Sequence, residues 1–222
     1  QIRLFSSEQM LAIRTAQFAA MSTAQISELT TEQVAGLRAG DMPAFTSVQL
    51  GSLTSGQIRV LATDQVRAFS LVQLPSLATS QIAVMETEDL AALRSAQIRV
   101  LSAAQLNALS SDQLVSIATD QLALLTSLQV AGISGAQLMK FTTSQIEAFS
   151  TAQLVSLTTT QVATLTTDQF VAIPGSDLGA FASAQIAALT INEVVSLTTD
   201  QVKALRSGQV AALATSQILA VE

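Results

Sequence analysis

A chain of 222 residues with 49% hydrophobic and only 12% charged side chains is too apolar for a disordered polymer. It contains no His, Cys, Trp or Tyr, which removes the commonest general base and metal ligand, thiolate chemistry and disulfides. Its net charge is −6, and its ten bases are scattered, so no basic face is available for nucleic acid.

From the first residue the chain follows a grid of eight. Gln recurs at 1, 9, 17, 25 and 33, misses 41, resumes at 49 and continues in steps of eight to 217. Every glutamine lies on this grid, and the four grid positions without one hold Asp41, Asp89, Asp177 and Glu193. The octad is represented by Leu197-Thr198-Thr199-Asp200-Gln201-Val202-Lys203-Ala204, numbered one to eight with Gln at five. Positions one and six are apolar throughout, from Phe5 to Val221 and from Ile2 to Ile218. Position eight is mostly Ala, Ser or Gly. Position two or three carries Ser or Thr everywhere except at Arg38-Ala39 and Pro174-Gly175.

This pattern starts a short helix in every octad. With Thr198 as N-cap, Gln201 is the third helical residue, and the pair forms a capping box. Leu197 before the cap and Val202 at the fourth helical position form a hydrophobic staple. Where position two is Arg or Ala, as at Arg94-Ser95 or Ala62-Thr63, the cap is expected at position two or three. Charge follows the same polarity: 12 of the 16 acids sit at positions four and five, where a helix N-terminus favours them. All ten bases sit at positions seven, eight and two, read as the last turn and exit.

One continuous helix is excluded, because eight residues advance about 80° beyond two turns and would wind the apolar stripe around the helix. The chain must turn near each position one. Helices this short are unstable alone and must pack on their neighbours. The expectation is an all-α fold: a right-handed superhelical α-solenoid of one short helix per octad, with a 40-residue super-repeat. The alternative is a β-solenoid with Thr and Gln ladders, since Thr and Val suit strands. The domain expectation is a single continuous array over residues 1–222, a segment of a longer one, its repeats partnered by neighbouring repeats.

Along the chain, Pro43 and Pro75 occupy position seven and should distort their octads. Gln57-Ile-Arg-Val-Leu61 returns as Gln97-Ile-Arg-Val-Leu101, and Ser stands at position eight at 76, 116, 156 and 196, each 40 residues apart. Five octads therefore form a larger unit. Either it records duplication, or it completes one wide superhelical turn of five octads or two turns of two and a half. Residues 174–180 should be the loosest octad, because Gly175 and Gly179 weaken a helix by about 1 kcal/mol each.

Candidate sites are few. Glu86-Thr87-Glu88-Asp89 is the densest acidic cluster, but it lacks the Gly turn and ligand alternation of a calcium loop and reads as first-turn acids. The four acids on the Gln grid read as alternative caps. The Gln column reads as capping or as a buried hydrogen-bond ladder to neighbouring backbone. Serine is abundant, but no base stands near to activate it. No catalytic, cofactor-binding or metal-binding residue is assigned, and no cofactor is expected.

The string Leu-Thr-Thr-x-Gln-Val-x-Ala-Leu resembles the octapeptide tandem repeats of very long bacterial proteins, some labelled secreted, adhesion-like or haem-utilising. The resemblance covers the whole chain and implies a bacterial extracellular or surface setting with a spacer or stalk role. It carries over no functional residue; for haem this chain offers only Met10, Met21, Met42, Met85 and Met139, mainly at core positions. A non-enzymatic structural module is expected, with a solenoid binding a protein, peptide or glycan as the alternative and an ice-binding-like β-solenoid as the outside one. Nucleic acid is not expected as a partner. Neither is a membrane span, since no apolar run approaches the roughly 20 residues needed to cross a bilayer.

Overall fold

In the computed structural model, residues 1–220 are described; the position-one residue Val221 lies outside them. Short helices follow one another at the octad spacing, and the described residues contain no strand. Most helices are four to six residues long, as in Thr15–Ala19, Ser55–Arg59, Thr159–Val162 and Thr199–Ala204. The fold is an α-solenoid. The β-solenoid alternative fails because each octad closes a helical turn: Ile58 N–H donates to the Thr54 carbonyl, and Leu61 N–H to the Ile58 carbonyl.

Each α-helix starts at an N-cap residue in octad position two, and these caps are extended, typically near φ −70° and ψ 155°; only the short 3-10 helices Ile2–Leu4 and Leu74–Ser76 among the described residues start instead from the grid residues Gln1 and Gln73. The cap does not move to position three where position two is Ala or Arg. Ala62, Ala118, Arg94 and Arg206 are all N-caps without a side-chain cap bond. The Gln carbonyl oxygen still accepts from their backbone N–H groups, at 2.7–3.0 Å. That bond needs nothing from the cap side chain, so in these four octads Gln alone supplies the side-chain part of the cap. Position-two arginines therefore stand at helix starts rather than exits, and the Arg14 and Arg94 side chains donate to the same Gln oxygen.

Contacts divide the chain into two units, Gln1–Ile117 and Ala118–Glu222. In both, helices pack on helices three octads away, as Thr15–Ala19 does on Ala39–Ala44 and Gly175–Leu178 does on Thr199–Ala204. The core is made of positions one and six. Met10, Phe18, Ile26, Leu50 and Leu74 represent it in the first unit, and Leu122, Val162, Phe170 and Ile186 in the second. Ring pairs reinforce it, Phe18 with Phe45 at 5.5 Å and Phe141 with Phe149 at 5.9 Å.

The proline octads of the first unit are distorted as expected: Ala39–Ala44 around Pro43 and Leu74–Ser76 around Pro75 are 3-10 helices. The glycine octad of the second unit departs from expectation. Residues 174–180 are not loose. The helix Gly175–Leu178 forms, and a Cβ on Gly175 or Gly179 would stand 2.8 Å from the carbonyl oxygen of Asp200 or Ala204. Both glycines permit a close approach of the following turn's backbone.

Candidate functional site: a glutamine ladder between turns

Gln57 shows what the grid does. Its N–H donates to Thr54 Oγ1 at 3.2 Å, and its Oε1 accepts from the Thr54 N–H at 2.7 Å, completing the capping box. Its Nε2 donates to the carbonyls of Ile26, Ser27 and Leu29 at 3.0, 3.3 and 2.7 Å. These carbonyls lie at and just past the end of the helix Thr23–Ser27, where no intrahelical N–H remains to satisfy them all. One side chain thus caps the start of its own helix and the end of another. The two expected roles, cap and buried ladder, are both filled.

The offset repeats. Gln49 donates to Phe18 and Met21, Gln65 to Val34 and Leu37, Gln81 to Leu50 and Leu53. In the second unit, Gln161 donates to Val130 and Ile133, Gln169 to Leu138 and Phe141, Gln201 to Phe170 and Ile173. In all of these the partners include the carbonyls 31 and 28 residues earlier, while Gln113, Gln185 and Gln217 use those 30 and 28 residues earlier. The amide therefore stands over the seam between two octads of the preceding turn, and one revolution takes between three and four octads. Neither five nor two and a half octads complete a turn.

The reason is geometric. A donor that must reach a position-six and the next position-one carbonyl has to sit between octads, which excludes a whole number per turn. The 40-residue register has no counterpart in these contacts. Ser76 and Ser156 donate to the carbonyls of Gln73 and Gln153, but Ser52, outside that register, does the same to Gln49.

The ladder is buried. Gln57, Gln65, Gln97, Gln153 and Gln201 are at most 2% exposed. A carboxamide suits this place because it carries an acceptor and two donors on one rigid plane without charge. Burying it unpaired would be costly; paired on both sides, it adds specificity to an apolar core.

The acids on the grid divide into two kinds. Glu193, as long as Gln, caps as expected: its Oε2 accepts from the Thr190 N–H at 2.6 Å and from the Thr190 hydroxyl at 2.8 Å. Its Oε1 is buried without a hydrogen-bond partner. The constant offset puts the carbonyls of Val162 and Leu165 where a Gln amide would donate. Burial pushes the Glu193 carboxyl above the usual range, against the lowering effect of its Thr190 bonds. A protonated Oε1 would restore the missing donor.

The aspartates complete no capping box. One methylene shorter, their carboxylates accept from a position-three threonine 26 residues earlier: Thr15 with Asp41 at 2.9 Å, Thr63 with Asp89 at 2.8 Å, and Thr151 with Asp177. Asp41 also pairs with Arg38 at 2.8 Å. At Asp89, burial is the largest influence and raises the carboxyl pKa; the Thr63 bond lowers it, the charges of Glu86 and Glu88 raise it, and a bond from the Glu86 backbone lowers it. The Thr–Asp pairs were hidden in the sequence because position-three Thr is common, and only the separation singles these out.

Among the described residues, no group of three His, Cys, Asp or Glu could hold a metal ion, and no helix is long and apolar enough to cross a membrane. Glu86, Glu88 and Asp89 are first-turn residues of the helix Thr87–Ala91 and its cap. Of the methionines, Met10, Met42 and Met85 are buried in the core, and Met139 is 52% exposed. An open groove of about 560 Å³ in the second unit runs past Val155, Phe181, Gln185 and Arg206, but its two glutamines are already bonded to backbone.

A search of curated proteins finds no match. The family profile described as ALTTAQ repeat matches residues 2–39, 10–47, 82–119, 138–174 and 170–215.

Proposed function

Because the chain belongs to the ALTTAQ repeat family, we infer that this structural repeat module serves as a spacer, stalk or scaffold within a large bacterial protein, secreted or displayed at the cell surface. One observation carries the reading: the distinctive side chains of the octad are turned inward onto the array itself. The glutamines join successive turns, and seven of the eight phenylalanines are buried. What faces outward at positions four and seven varies from octad to octad. Val48, Val72, Leu128, Val115, Val195 and Leu219 are exposed there, interspersed along the chain with Ala, Gly, Asp and Arg, and none of the exposed residues at these positions is aromatic. A groove built to hold a peptide or glycan needs a run of aromatic or polar groups on one face. A fold whose turns contact only neighbouring turns instead gives length in proportion to repeat number.

Two experiments test this. Arrays shortened or extended by whole octads should give a maximum dimension by small-angle X-ray scattering that rises in proportion to octad number. A dimension indifferent to octad number would reject a spacer. Surface labelling and protease treatment of intact cells should reach the array in its native protein; full protection would reject the surface setting.

A further inference from the structure

Asp41 and Asp89 stand at the same octad position within the first unit, and both are 3% exposed. In each, Oδ1 accepts from a threonine hydroxyl 26 residues earlier. Beyond that bond they differ. Asp41 Oδ2 accepts from Arg38 Nε at 2.8 Å, and Arg38 Nη2 donates to the Ile13 carbonyl at 3.1 Å. That carbonyl is the one a Gln at 41 would reach by the ladder offset. A guanidinium thus takes the place of the amide and neutralises the carboxylate. At Asp89, position two holds Glu86 instead of Arg. Asp89 makes no ion pair among the described residues, and its Oδ2 is buried without a hydrogen-bond partner. One octad to either side, Gln81 and Gln97 keep the offset with the carbonyls of Leu53 and Phe69. The corresponding carbonyl for Asp89 is that of Leu61.

We propose that a calcium ion stands at Asp89 where the Arg38 guanidinium stands at Asp41, held by Asp89 Oδ2, the Leu61 carbonyl and the Glu86 carboxylate, with water completing its shell. A buried charge needs a partner or a metal. Calcium takes six to eight oxygens in flexible geometry and mixes carboxylates, backbone carbonyls and water. The binding set is one buried acid, one carbonyl and one exposed acid, not three converging acids. Glu88, also exposed, adds a third negative charge that acts on Asp89, which favours a divalent ion. Glu193 shows the contrast. Its octad neighbours Thr190 and Asn192 are uncharged, and a proton alone answers its unpartnered oxygen. Asp177 is only half-buried and makes no such demand.

Calorimetric titration of calcium chloride into the chelator-stripped chain tests this. One ion should bind per chain, and the thermal midpoint should be higher in calcium than in EDTA. Glu86→Arg rebuilds the Arg38–Asp41 arrangement, and arginine is already accommodated at position two at Arg14 and Arg94. This variant should keep its circular dichroism spectrum, bind calcium about 100-fold more weakly and melt at a midpoint that calcium no longer moves. Asp89→Asn should lose the same response, whereas Asp168→Asn, at an exposed first-turn acid, should retain it. No binding to the unaltered chain at millimolar calcium, a stoichiometry other than one, or undiminished binding by folded Glu86→Arg would each overturn the proposal.

Discussion

Gln17 and Gln57 occupy the same octad position and make the same capping bond, yet only Gln57 lies beneath a preceding turn. Their alanine variants therefore separate the two roles of the column. Gln17→Ala loses a cap interaction at an exposed site and should cost about 1 kcal/mol. Gln57→Ala also strands buried carbonyls and should cost about 2–4 kcal/mol in urea unfolding. Equal costs would mean that the amide bonds contribute nothing. Glu193 offers the converse test. Its carboxyl is raised in the folded state, so the folded chain holds the proton more tightly than the unfolded one. Its contribution to stability is then complete below its ordinary value of 4.5 and declines as pH rises through the raised folded value. Glu193→Gln supplies a permanent donor and should stabilise the chain at pH 7 by about 1–3 kcal/mol. The two proteins should converge in stability near pH 3. A gap independent of pH would contradict a titrating Glu193.

At the scale of the single helix, the octad was largely legible. Staple, cap and third-residue Gln follow from local spacing alone, and the helices start where that spacing puts them. The glycines of residues 174–180 show where local reasoning stops. Propensity reads Gly175 and Gly179 as weakness, but their role depends on Asp200 and Ala204, three octads ahead. Substitution should reveal the difference. Gly175→Ala and Gly179→Ala should destabilise despite alanine's better helix propensity, because the added methyl meets backbone oxygen at 2.8 Å. Gly56→Ala, whose new methyl would meet nothing closer than 3.9 Å, should stabilise by about 0.5–1 kcal/mol. Thermal melts of the three variants check the sign of each effect.

At the scale of the whole molecule, each described unit is a stack in which every turn is joined to the next by apolar contact at positions one and six and by the Gln amide. The sequence could not reveal the number of octads per turn, because the partners of Gln are backbone carbonyls, which have no residue type. The 40-residue repetition pointed to five octads, but identical side chains at that interval record only which octads resemble one another. The offset of 28 and 31 residues is the central structural claim, and hydrogen exchange of the glutamine carboxamides, followed by NMR, tests it most directly. The side-chain N–H groups of Gln57, Gln65, Gln161 and Gln201 should persist far longer in deuterated buffer than those of Gln9, Gln17 and Gln25. Exchange of all these carboxamides at the same solvent rate would contradict the ladder.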